Sequence, residues 1–248
     1  MNRRQFVLLT TFFSGISAVN NAAAQFNLGK ALDAGKTLVE SETLNDDDLR
    51  RYFDQMAADS DRRNRVAGSG DPYGQRLAKL TSGLEKHDGL ALNYKVYLTP
   101  EINAFAMANG TIRVYSGLMD KFTDDEIRYV IGHEIGHVKS GHTKARIQTA
   151  MRTSALKSAA SSAGGKTAAL AESQLGELFS QVITAQHSQA NERQADDYAL
   201  GFMKKKKYPA VACVDALEKL DALGGGSASW LSTHPSPKER AKRLKAMV

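Results

Sequence analysis

Gly132-His133-Glu134-Ile135-Gly136-His137-Val138 sets two histidines four residues apart, with a glutamate directly after the first. In a helix that spacing stacks the imidazoles one turn apart on one face, where both reach a single metal ion. Glu134 then stands beside a water held by the same ion and is the candidate general base. Much later, Ala190 to Ala199 reads A-N-E-R-Q-A-D-D-Y-A, with Glu192 and Asp196 again four apart and the small Ala195 and Ala199 alongside. His234, in Ser232-Thr233-His234-Pro235-Ser236-Pro237, is a candidate donor to a developing oxyanion. Each has a plain alternative: a solvated helix face for the first pattern, an acidic face paired with Arg193 for the second, and a loop histidine anchoring the last helix for the third.

The paired histidines need a helix, and the surrounding residues supply one. Thr123 with Glu126 forms a capping box, and Asp124 and Asp125 place negative charge in the first turn. Ile127, Val130, Ile131, Ile135 and Val138 recur at helical spacing, and Ser140-Gly141 closes the element. His142, five residues past His137, is expected to point away from the metal face into solvent. Upstream, Leu92–Leu98, Glu101–Met107 and Thr111–Tyr115 read as strands, the last two joined through Asn109-Gly110. Asn103, Ala104, Phe105 and Ala106 are the candidate substrate-binding edge, exposed and small enough for another backbone to add alongside. A hairpin packed on the core is the alternative.

The remaining elements frame this pair. Phe26 to about Lys86 is mostly helical, broken by a turn at Ser69–Pro72, with His87 near a helix end. Residues 142–188, rich in Ala, Ser, Gln and Lys, read as a helical insert of two arms that either covers the cleft or packs on the body. Lys204–Lys207 and Tyr208-Pro209 stop the acidic helix. A core helix carrying Cys213 follows, then a flexible link at Gly224–Ser227, and Trp230 re-enters the apolar body.

The 248 residues, 42% hydrophobic and 24% charged, suit one substantial core. A net charge of +6, with few aromatics and none interleaved with basic residues, gives no support for nucleic-acid binding. A single cysteine excludes an intrachain disulfide framework. Residues 1–24 read as a cleaved signal peptide: Arg3-Arg4, an apolar stretch from Phe6 to Val19, and Ala22-Ala23-Ala24 before Gln25. Asn2 to Leu8 also fits a twin-arginine signal. No transmembrane anchor is expected after leader removal. The expected division is leader 1–24, an N-terminal helical segment 25–90, and a catalytic domain 91–248.

Taken together, H-E-x-x-H, N-E-R-Q-A-D-x-Y-A at 191–199, N-A-F-A-x-x-N-G at 103–110, S-G-L-M at 116–119 and T-H-P-S-P-K-E-R at 233–240 resemble the gluzincin zinc metallopeptidases of the HtpX / CAAX prenyl endopeptidase family, especially its periplasmic LoiP-like members. The resemblance runs from roughly Leu77 to the C-terminus. It implies an α+β, mainly helical fold with a small sheet beside the H-E-x-x-H helix. It implies one Zn2+ per chain on His133, His137 and Glu192, with Asp196 behind a ligand histidine and with His234 and Arg240 near the active site. It also implies polypeptide substrates, misfolded or outer-membrane proteins among them, in periplasmic protein quality control. The chain departs from the family by showing no HtpX-like membrane spans and no lipidation cysteine. The rival expectation is a non-proteolytic chaperone or peptide-binding protein using the same cleft, but structural zinc sites fill all four positions with protein groups and no fourth ligand is evident.

Overall fold

The computed structural model describes residues 46–150, 180, 184–227 and 229–248. Residues 1–24, expected as a leader, the segment from Phe26 to Val39 and most of the expected 142–188 insert lie outside these residues. The fold is α+β and mainly helical. Helix α1 (Asp46–Arg63) buries Phe53, Met56 and Ala57 along one face. Asp71 caps α2 (Pro72–Thr81), accepting the Tyr73 N–H at 2.9 Å, while Pro72 stands in the first turn where no N–H bond is lost.

Past α2 the chain departs from the expected helix. It forms a tight hairpin, β1 (Lys86–His87) against β2 (Leu90–Ala91), around Asp88-Gly89, both at positive φ. Asp-Gly in a two-residue loop is primed-turn chemistry, which the surrounding leucines at helical spacing had masked. His87 therefore lies in β1, its ring edge-on to Phe202 at 5.5 Å.

Three strands follow: β3 (Asn93–Tyr97), β4 (Ala104–Ala106) and β5 (Thr111–Tyr115), in the order β3-β5-β4. β3 runs parallel and β4 antiparallel to β5. The register aligns Val96, Val114 and Ala104 toward the main core. Alternation turns Tyr97 and Phe105 to the other face, where they meet Phe53 and Met56 of α1.

Helices α3 (Ser116–Lys121) and α4 (Asp124–Lys139) come next, then residues 142–150 (α5), α6 (Gln189–Lys205), α7 (Ala212–Ser227), α8 (Trp230–Thr233) and α9 (Pro237–Lys245). The expected capping box is present: Thr123 accepts from the Glu126 N–H at 3.3 Å, and the Thr123 N–H donates to Glu126 at 2.6 Å. Gly224 to Ser227, expected as a flexible link, instead continues α7 across a kink at Gly224 (φ 67, ψ 169). Cys213 is fully buried in the core. Among the described residues no helix is long and apolar enough to cross a membrane.

Helices α4 and α6 pack through small residues, and this seam positions the site. A Cβ on Gly136 would meet the Ala195 Cα and carbonyl oxygen at 3.0 Å, and one on Gly132 would meet Phe202 at 2.8 Å. Gly132 and Gly136 each precede a histidine of the pair. The absence of their side chains lets α6 approach until Glu192 reaches the imidazoles.

Candidate metal centre

His133, Glu134, His137, Glu192, Asp196 and His234 are all buried, none more than 2% exposed. The Nε2 atoms of His133 and His137 lie 3.0 Å apart. Glu192 faces both, with Oε2 3.5 Å from His133 Nε2 and Oε1 3.4 Å from His137 Nε2. His234 belongs to the same group through one ring nitrogen, the four ligand atoms all falling within 4.8 Å of one another.

This donor set fits a divalent cation. Both Glu192 oxygens are buried and accept no hydrogen bond, and Oε1 has no cation beside it other than what the two imidazoles could carry, a costly state for a carboxylate that a metal ion between them would relieve. Arg240 Nη1 stands against Oε2 as an ion pair without hydrogen-bond geometry. Burial and Arg240 both press the His133 imidazole toward neutrality, but its contacts with Asp196 and Glu192 win and hold it up at about 9. A proton there sits where a metal would take its place.

The surroundings orient His133. Its Nδ1 lies 3.0 Å from Asp196 Oδ1, and Asp196 also accepts from the Tyr129 hydroxyl at 2.7 Å. Arg240 donates to both Asp196 oxygens, at 2.9 and 2.7 Å. Arg240 comes from α9, whose first turn follows Ser236 in the left-handed region and Pro237 at the helix start. Tyr129 was a hidden member of the set, four residues before His133 on the same helical face.

Glu134 occupies the other side. Burial raises its carboxyl to about 7, against the opposing pull of His133 and of the Trp230 indole, which donates to Oε1 at 3.2 Å. His234 Nε2 lies 3.5 Å from the same oxygen, and the His234 ring stacks on Trp230 at 4.1 Å. Trp230, read from sequence as a core residue only, thus also fixes both polar groups of this wall.

Two expectations are corrected. His142 is not solvated: it is buried, with Nδ1 3.0 Å from His137 Nδ1. Gly141 at φ +71 ends the helical phase of α4, so the five-residue offset no longer sets its direction. The Asn103–Ala106 edge is not exposed either. β4 is an edge strand in the sheet order, yet its three residues are buried. Ile147 of α5 packs with Phe105 and Met107, and the Thr143 hydroxyl lies 3.4 Å from the Ala106 carbonyl. These four residues still line a cleft with Glu134, His137, Arg146, His187 and His234.

The family model described as Peptidase family M48 matches residues 74–248. The chain is 39% identical over 216 residues to the metalloprotease LoiP of Escherichia coli (strain K12), covering 86% of each chain. It is also 39% identical over 220 residues to the metalloprotease YcaL of the same organism, covering 88% of this chain and 87% of that one. A protease HtpX homolog of Verminephrobacter eiseniae (strain EF01-2) is 27% identical over 216 residues, 72% of this chain and 73% of the relative.

Proposed function

The chain belongs to peptidase family M48 and is a metalloendopeptidase, and on that premise we propose that it uses one zinc ion to cleave exported polypeptides in a bacterial periplasm. His133 and His137 through Nε2, and Glu192 through its carboxylate, hold the ion. Bound zinc polarises a peptide carbonyl and brings the pKa of its water toward neutrality.

The chain's own groups do the rest. Glu134, whose carboxyl is raised toward neutrality by burial, accepts the proton of the attacking water and returns it to the leaving amine. The Trp230 indole holds Glu134 by donating to Oε1. His234 donates from Nε2 to the scissile carbonyl oxygen as negative charge develops. That requires a proton on Nε2, while Nδ1 stands 2.8 Å from the Thr233 hydroxyl and 3.2 Å from the Trp230 carbonyl oxygen, which the hydroxyl reaches at 3.0 Å. Asp196 and Arg240 keep His133 turned toward the ion. The substrate backbone lies along Asn103–Ala106. Bonds from Met107 to Thr111 and from Tyr115 to Asn103 leave the Ala104 and Ala106 main-chain groups directed away from β5. Access to that edge requires α5 to shift.

The observation that carries this reading is the convergence of two imidazole nitrogens and two undonated carboxylate oxygens beside a buried glutamate. The leader-like residues 1–24 support the exported setting and the two bacterial metalloprotease relatives support proteolysis there, with quality control of misfolded or outer-membrane proteins the role that the motif resemblance implies. Glu134→Gln tests the chemistry: bound zinc and fold stay, while casein hydrolysis falls on the order of 100-fold or more. Retained hydrolysis would refute the assignment. His133→Ala should instead lose the metal, and N-terminal sequencing of the native protein beginning near Gln25 tests export.

A further inference from the structure

His137 has a neighbour on its far side that differs in kind from the one behind His133. Its Nδ1 lies 3.0 Å from His142 Nδ1, and His142 Nε2 lies 3.0 Å from Gln194 Oε1. A hydrogen bond between two ring nitrogens needs a proton on one and a lone pair on the other. With both rings neutral, only two proton arrangements satisfy the whole line. In the first, His142 carries its proton on Nε2, donates it to the Gln194 carbonyl oxygen, and accepts from His137 Nδ1–H. In the second, the Gln194 amide is reversed, every bond runs the other way, and His137 carries its proton on Nε2, where it cannot bind a metal.

We propose that His142 and Gln194 are positioning residues: a neutral hydrogen-bond relay that fixes His137 as the Nδ1–H tautomer and so presents its Nε2 lone pair to the metal. The inference rests on His137 being a ligand. Helix α6 then supplies Glu192 to the metal, Asp196 to the back of His133 and Gln194 to the relay behind His137, all within five residues. One ligand imidazole is held by a carboxylate–guanidinium pair, the other by an uncharged imidazole and amide. His137, His142 and His187 could instead form a cation site of their own. Arg146 Nη1, 3.0 Å from His187 Nε2, opposes that by placing a guanidinium against one of the three donors.

The test uses the full chain and zinc competition against a chromogenic chelator. His142→Phe keeps a ring without the acceptor and should weaken zinc binding by about 10- to 100-fold. His142→Asn places an amide oxygen near the Nδ1 position and should stay within about threefold of the parent, since the acceptor survives. Gln194→Leu should fall between the two. Unchanged affinity in His142→Phe, or equal loss in Phe and Asn variants, would overturn the relay. Nitrogen-15 NMR of the zinc-loaded unmutated protein decides it independently of variant folding. His142 protonated on Nε2 alone is the expected state, and His142 protonated on Nδ1 overturns the proposal. A second zinc equivalent that disappears with His142→Phe also overturns it. His137→Ala separates the two readings: if that variant keeps its zinc, the ligand assignment fails, whereas its loss beside an unaffected His142→Phe fails the relay alone.

Discussion

Two clusters of charge flank the small sheet, one partly and one fully buried, and they are finished differently. Behind the sheet, Asp61 of α1 receives a donor on every side. Its Oδ1 accepts from Arg113 Nε at 2.8 Å and from the Tyr97 hydroxyl at 2.7 Å, while Oδ2 accepts from Arg113 Nη2 at 3.0 Å and Lys95 at 2.7 Å. Arg113, only 2% exposed, spends its remaining protons on Asn93 and the Ile112 carbonyl. Between α4 and α6, by contrast, Glu192 is more deeply buried, yet neither oxygen accepts a hydrogen bond and only Oε2 has an ion-pair partner, Arg240. A charge cluster that closes on itself holds sheet to helix. One left open on a shared focus is waiting for a ligand, and that deficit, deepest where burial is deepest, separates the functional site from the structural one.

Removing one carboxylate from each cluster should therefore give opposite results. Glu192→Gln should reduce metal affinity more than about 100-fold, because a direct ligand outweighs an outer partner. It should change the stability of the chelator-treated protein by less than about 1 kcal/mol, since Arg240, its ion-pair partner, keeps both Asp196 oxygens and is not stranded. Asp61→Asn should leave metal affinity unchanged and destabilise the fold by about 3 kcal/mol, because it strands the buried Arg113. Metal titration and urea melts of both variants check the pair. If Glu192→Gln destabilised the metal-free protein as much as Asp61→Asn, the distinction would fail.

The closed cluster also has a pH signature. Burial alone would raise the Asp61 carboxyl, but hydrogen bonds from Arg113, Lys95 and Tyr97 outweigh it and lower the group from 3.8 to about 2. A depressed folded-state pKa stabilises at pH above the unfolded value and loses that contribution as pH falls through the folded one. About 2 kcal/mol should therefore disappear between roughly pH 4 and pH 2. Subtracting the pH–stability curve of Asp61→Asn from that of the parent, both chelator-treated, isolates it. A flat difference over that window would show that the cluster is less closed than its geometry implies.

How much of each region could be read from the chain follows the range of the interactions. The α4 helix, its capping box and the His133–His137 pair are local, set by residues within four of one another, so periodicity carries them. Glu192 was reached only through the family resemblance, because a ligand some sixty residues away leaves no local pattern. The Asp61–Arg113 pair has no pattern at all: it depends on a parallel β3–β5 register that brings Lys95 beside Arg113. His142 was misplaced because one left-handed glycine changes the phase that the spacing argument assumes. Trp230 reads as a core aromatic, which it is, and Tyr129 carries no signal of its own in the sequence. Their hydrogen bonds to Glu134 and Asp196 need the tertiary fold to become visible.

The smallest expected effect probes what brings the open cluster together. Gly136→Ala adds one methyl to α4, and in an isolated helix that change would be favourable by about 1 kcal/mol. Here the new Cβ would sit 3.0 Å from the Ala195 Cα and carbonyl oxygen, both main-chain atoms of α6 that no side-chain rotation can clear. The helices must separate by a few tenths of an ångström, and the separation falls one residue from His137 and three from Glu192. The propensity gain and the strain nearly cancel in stability, so the melting temperature of the metal-free variant should move little. Metal affinity should fall several-fold, because the ligand spacing answers to the seam and not to the helix itself. Gly132→Ala, whose nearest neighbour is the Phe202 ring at 2.8 Å, can be relieved by that side chain moving and should lose less. Equal affinity losses in the two variants would mean that the seam is compliant and that Glu192 is positioned by its ion pair with Arg240 instead.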